Sequence, residues 1–148
     1  MKRQLLTSIL VAVMTLMAGV APAVVFAEQK LVMVVSSQSS LAELKPGELR
    51  KLFMGLPVSK QGHVIKPLRN MSDERLNQVF LQKVVYMSEG RYEHHLIARV
   101  FRIGGVRPAQ FESNQSLTQA LEEDSMRVSY MWEDELPADS SLKVLRLW

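Results

Sequence analysis

The stretch KLVMVVS, residues 30–36, constrains this chain more than any other. Five consecutive apolar residues, three of them β-branched, leave no polar side for water. A strand built from them must be covered on both faces, as in the interior of an α/β sheet. The rest of the chain should therefore supply helices for two covering layers.

It does so in order. After a polar loop over residues 36–40, Pro46 stands as a first-turn proline, with Leu49, Leu52 and Phe53 at helical spacing and Gly55 as a stop, which predicts a helix of about two turns. Gly62 turns the chain into a strand over residues 63–68. Leu76, Val79, Phe80 and Val84 then form an amphipathic stripe, with Ser72 as the expected N-cap. Ser88 is expected to cap a further helix whose Tyr92, Leu96, Val100 and Ile103 share one face, ending at Gly104-Gly105. Ser116 with Gln119 suggests a capping box for a short helix through Leu117, Ala120 and Leu121. Glu122, Glu123 and Asp124 follow at its C-terminal end, where the helix dipole disfavours acids. Arg127–Trp132 and Leu142–Leu147 read as closing strands, joined by an acidic, exposed loop over residues 133–141. The succession implies an α/β, single three-layer domain with a mixed β-sheet.

Residues 1–27 have the pattern of an export signal: Lys2 and Arg3, an apolar run from Leu5, and the small-residue end Val25-Phe26-Ala27. Cleavage is expected after Ala27, with Ala23 as second choice, leaving residues 28–148 as the domain. The 24 uncharged residues from Gln4 to Ala27 are also long enough to span a bilayer, so membrane contact is expected only if the segment stays uncleaved. Without Lys2 and Arg3, the 18 basic side chains fall to 16 against 15 acidic ones. The domain therefore has no net field to draw it to nucleic acid, and none is expected as a partner. The absence of cysteine excludes thiol chemistry and thiolate metal sites and suits a periplasmic location without disulfides.

Several strings carry a family resemblance. "SLAELKPGELRKLFMG", residues 40–55, resembles the Ser-Leu helix after the first strand of the small phosphate ABC transporter substrate-binding proteins, the periplasmic binding protein type 2 fold. "RLNQVFLQKVVYMSEGRYEHHLIARVF", residues 75–101, is similar in spacing to that family's two successive helices, with Phe80, Ser88, Tyr92 and Phe101 in matching places. "RVSYMW" resembles its late Ile-Gly-Tyr strand. The resemblance implies one lobe of such a protein, since residues 28–148 are too few for two. It also shows departures. Asp73, Glu74 and Arg75 stand where the family's phosphate loop has small residues, and Asn77 where an Arg commonly follows. His95-Leu96 replaces an aromatic pair, Arg102-Ile103 a Thr-Gly, and Ser129 a Gly.

Two places could hold a small, phosphate-like anion. One is the helix start near residue 72, where free backbone N–H groups and the dipole favour negative charge and Arg69, Asn70, Ser72 and Asn77 could add donors. The other is the loop with Ser36 and Ser37, which ends a strand. Each has a plainer reading, a capped helix and a polar turn. Glu74 would oppose a phosphate if it faced the same pocket, and Glu74→Gly should then improve affinity.

Glu93-His94-His95 is a poor metal site, because helical neighbours project about 100° apart. Arg99, Arg102 and Arg107 form a candidate basic patch, or simply cations suited to a helix C-terminus. No nucleophile elbow, H-E-x-x-H or P-loop is present. The expectation is thus an exported, non-catalytic, solute-binding-like protein without cofactor or metal. It would bind phosphate weakly, another small anion, or none. The alternative is an envelope scaffold that reuses the fold to bind a protein partner.

Overall fold

The computed structural model describes residues 28–105 and 107–148. The export-signal expectation for residues 1–27 lies outside them. Among the described residues no helix is long and apolar enough to cross a membrane.

The elements run β1 (Leu31–Ser36), α1 (Pro46–Phe53), β2 (Ser59–Lys60), β3 (His63–Val64), β4 (Lys66–Asn70), α2 (Glu74–Phe80), a π-helical turn (Leu81–Val85), α3 (Glu89–Ile103), β5 (Ala109–Phe111), α4 (Asn114–Glu123), β6 (Arg127–Trp132), a short 3-10 turn (Glu133–Glu135) and β7 (Leu142–Leu147). The main sheet has the order β5-β4-β6-β1-β7. β4 is parallel to β5 and β6, whereas β1 is antiparallel to both β6 and β7. The sheet is therefore mixed, with one reversed strand inside it.

The apolar run of β1 is buried along its whole length. Leu31, Met33 and Val35 join the core beneath α1, α2 and α3, together with Val128, Tyr130 and Trp132 of β6. Val32 and Val34 face the other way, into a smaller core formed with Leu117, Ala120 and Leu121 of α4. Three layers follow directly from a strand with no polar side. In the larger core Phe80 stacks on Tyr130 with ring centroids 3.7 Å apart, and Phe53 meets Phe80 edge-on at 4.7 Å. The buried Tyr92 hydroxyl donates to the Phe53 carbonyl at 2.5 Å, tying α3 to α1; burial raises that phenol to about 12.

The structure follows the local sequence signals in some places and departs from them in others. Pro46 opens α1, and Glu48 reaches back to accept the Lys45 N–H at 2.8 Å. The expected strand over residues 63–68 is broken at Ile65: its first half pairs with Ser59 and Lys60 in a separate hairpin, turned by Gln61 and Gly62 at positive φ, and the rest becomes β4. β5 had no alternation to announce it. Ser116 does not cap α4; Ser113 does, its hydroxyl accepting the Ser116 N–H at 3.2 Å. Ser88 is at the N-cap of α3 but makes no side-chain cap bond. Two of the three acids at the end of α4 are used by neighbours. Asp124 accepts from Lys66 at 2.7 Å and from the Met126 N–H, and Arg127 bridges to Glu123.

α3 departs most from expectation. Tyr92 and Leu96 are buried, but Val100 is 37% and Ile103 70% exposed. The helix is longer than the layer it covers, so its last turn overhangs. A residue at the right helical angle is buried only if something lies beneath it.

Candidate functional site

The reversal of β1 decides which candidate residues can meet. Val35 pairs with Val128, and Lys66 of β4 pairs with Arg127, so Ser36 lies near the start of β4 and β6. Ser72 follows the other end of β4, past Asn70, which pairs with Phe111. The length of β4 separates the two places by roughly 13 Å at 3.3 Å per residue. The two loops therefore do not form a single pocket. At the first, Ser36 is buried and its hydroxyl accepts the Gln38 N–H at 3.2 Å, while the Ser37 N–H donates to the Ser141 carbonyl at 2.8 Å. This is the geometry of a polar turn whose donors serve the chain itself.

The second group divides again. Arg69 and Asn70 are adjacent on a strand and must point to opposite faces. Arg69 enters the larger core with a fully buried side chain. Its Nη1 donates to Glu93 Oε1 at 2.5 Å, its Nη2 to Asn77 Oδ1 at 3.5 Å, and its guanidinium lies 4.9 Å from the centre of the Tyr92 ring. Burial, the largest single effect, lowers the Arg69 pKa, but the Glu93 hydrogen bond and the charge interactions with Tyr130, Tyr92 and Glu93 together outweigh it, and the net shift is upward. Asn77 donates to Glu89 at 3.1 Å. Arg107 holds the second oxygen of Glu93. Glu93, read in the sequence only as part of a weak metal motif, is thus the counter-ion of the buried arginine. Nothing local signals it, since Arg69 and Glu93 are far apart in sequence.

Asn70 turns toward α4. Its amide donates to Asn114 Oδ1 at 2.8 Å and to the Tyr130 carbonyl at 2.9 Å, and its Oδ1 accepts both the Ser72 N–H, at 3.0 Å, and the Ser72 hydroxyl, at 2.6 Å. Asn114 in turn donates to Glu135 at 2.8 Å. The amides and hydroxyl expected to hold an anion are committed to one another.

The expected N-cap at Ser72 is displaced by one residue. Asp73 caps α2: its Oδ1 accepts the N–H groups of Arg75 at 2.7 Å and Leu76 at 3.3 Å, and its Oδ2 accepts the Trp132 indole N–H at 2.8 Å. Ser72 is drawn away because the buried Asn70 carbonyl oxygen takes its hydroxyl. The Trp132 bond, followed by the two backbone donors, holds the Asp73 carboxyl below the usual aspartate range against an opposing effect of burial. The chain's own carboxylate therefore sits where a helix N-terminus would hold an external anion. Glu74 does not face this place; it is exposed and accepts from Gln78 one turn along at 3.1 Å. Around the same sheet end Glu112, Glu133, Asp134 and Glu135 are exposed, giving an acidic rim.

The remaining polar candidates are dispersed. His95 contacts the Met54 carbonyl at 3.2 Å, while His94 is exposed. Arg99 donates to the Gly55 carbonyl at 2.7 Å, Arg107 is paired with Glu93, and Arg102 lies on a different surface hollow with Arg91 and His94, so the three arginines do not act as one patch. Ser129, where a glycine was expected from the resemblance, uses its hydroxyl to bond the Leu68 carbonyl at 2.8 Å across β4 and β6.

No family model matches the sequence, and neither does any curated protein. Solved structures do share the fold. An ABC-type phosphate transport receptor from Vibrio cholerae superposes with a TM-score of 0.58 at 11% identity, covering 80% of this chain and 46% of that one. A Clostridium perfringens protein described as a phosphate ABC transporter substrate-binding protein, with phosphate bound, gives 0.57 at 7% identity, covering 80% and 44%. PstS from Borrelia burgdorferi gives 0.55 at 12% identity, covering 79% and 46%. This chain spans less than half the length of each. At these identities the likeness is one of fold, and at that level the resemblance read from the sequence holds: an α/β unit like one lobe of a phosphate-binding protein.

Proposed function

We propose that this chain is an exported, non-catalytic relative of solute-binding modules that has given up phosphate capture at the β4–α2 turn and serves instead to bind another protein of the cell envelope. The observation that carries the reading is the Asp73 carboxylate, which takes both backbone donors of the helix start and the Trp132 N–H. A phosphate there would have to displace a bound anion and sit among like charges. At about 4 Å and an effective dielectric near 20, each such pair costs on the order of 4 kcal/mol. One charge-assisted hydrogen bond returns only about 1.5–3 kcal/mol.

The test is ligand-dependent stability. A ligand at one hundred times its dissociation constant adds about 2.7 kcal/mol. Phosphate, sulfate and small carboxylates at millimolar concentration should leave the Tm unchanged, whereas Asp73→Ser, which empties the helix start, should acquire a response to phosphate. A clear rise in Tm for the unaltered protein would overturn the reading. In crosslinked periplasm the chain should be recovered with a protein partner, and recovery solely as a free monomer would count against it.

A further inference from the structure

One concavity lies apart from the β4–α2 turn, although Arg107, which lines it, also holds Glu93. It lies near the starts of β4 and β6, under the overhanging end of α3, with a volume of about 580 Å³. That is within the range of pockets that enclose small organic ligands, roughly 300–1,000 Å³. Leu52, Leu56, Pro57, Val64, Ile65 and Pro108 contribute apolar surface. Every charged residue lining it is a cation: Lys66, Arg99, Arg107 and Arg127. Three of these already have carboxylate partners, Lys66 with Asp124, Arg107 with Glu93 and Arg127 with Glu123.

Arg99 differs. Its Nε donates to the Gly55 carbonyl, and among the described residues no carboxylate pairs with its guanidinium. The position is built rather than incidental. Gly55 has φ +80°, and a Cβ there would meet Arg99 Cδ at 3.0 Å, so the glycine leaves room for the arginine to cross it. A half-buried, oriented guanidinium beside an apolar trough calls for a ligand with one anionic end and one hydrocarbon end.

We propose that this groove binds a single-chain amphiphilic anion of the fatty-acid type, its carboxylate on Arg99 and its tail along Leu56, Val64 and Ile65. The argument is charge complementarity: an apolar floor with, at its edge, the one lining cation that no carboxylate among the described residues pairs, Arg99. It is independent of the reading given for the β4–α2 turn.

Titration calorimetry with dodecanoate below its micellar concentration tests it. Dodecanoate should bind with one-to-one stoichiometry, while dodecyl maltoside, with the same tail and a neutral head, and inorganic phosphate, a head without a tail, should each bind at least tenfold more weakly. Arg99→Gln should weaken dodecanoate by about tenfold or more, the effect of losing one charge-assisted contact. Val64→Glu, at an exposed strand position that tolerates change, should do the same by placing a carboxylate in the trough. Circular dichroism would show that both variants remain folded. Equal binding of the neutral amphiphile, or full affinity in both variants, would overturn the proposal. So would a response only to vesicles of phosphatidylglycerol, which would make Phe101 and Ile103, 86% and 70% exposed on the last turn of α3, part of a membrane contact instead.

Discussion

At the scale of single residues, two carboxylates do what an external anion does elsewhere. Asp73 answers the helix start and Glu93 answers Arg69. Asp73→Ala should cost about 0.5–2 kcal/mol as a lost cap, and the orphaned Trp132 N–H would move it toward the upper end. Because Asp73 is more acidic in the folded state than in the unfolded chain, its contribution is complete above the unfolded value near 3.9 and is lost as pH falls through the lower, folded value. Denaturant melts between pH 6 and pH 2.5 should therefore show a loss below about pH 4 that is smaller in Asp73→Asn. For Arg69, removing its partner leaves a charge in the core. Glu93→Gln should destabilise by about 2–3 kcal/mol, less than the 3–5 kcal/mol of a fully buried pair because the Glu93 side chain is 30% exposed. Adding Arg69→Met to Glu93→Gln should recover much of that loss, and a double variant weaker than either single one would contradict this account.

At the scale of elements, helix periodicity was legible wherever a layer lay beneath it. Leu76, Phe80 and Val84 are buried as their spacing implied, and so are Tyr92 and Leu96. Phe80 stands between Tyr130 and Phe53, so Phe80→Ala should cost about 3–5 kcal/mol in denaturant unfolding. A value below 1 kcal/mol would mean that the aromatic cluster repacks freely. Caps were less legible. Ser72 and Ser116 have the right chemistry for an N-cap, but Asp73 and Ser113 take the role, because the choice among neighbouring polar residues depends on which backbone N–H groups each can reach. The short strands β2, β3 and β5 are too brief for alternation to register, and they form because a neighbouring backbone is in place.

At the scale of the whole molecule, β1 belongs to both cores, with alternate residues on either side of the sheet. Neither layer can detach without exposing that strand. Residues 28–148 should accordingly unfold in one transition, with Trp fluorescence and far-ultraviolet dichroism coincident; separate midpoints for the two probes would show that α4 unfolds independently. The sequence by itself determined the layered α/β architecture, because covered strands and amphipathic helices are written in local patterns; the likeness to one lobe of a phosphate-binding protein came from the resemblance of the strings at residues 40–55, 75–101 and 127–132. It also presented Arg69, Asn70, Ser72 and Asn77 as a plausible set of donors. Only the tertiary structure decided what those donors do. The direction of β1 separates Ser36 from Ser72, the strand's alternation separates Arg69 from Asn70, and Glu93 and Asp73 occupy the two cationic or dipolar sites from within. Charge pairing is a property of positions in space, and positions so distant in the chain acquire it only when the sheet has formed.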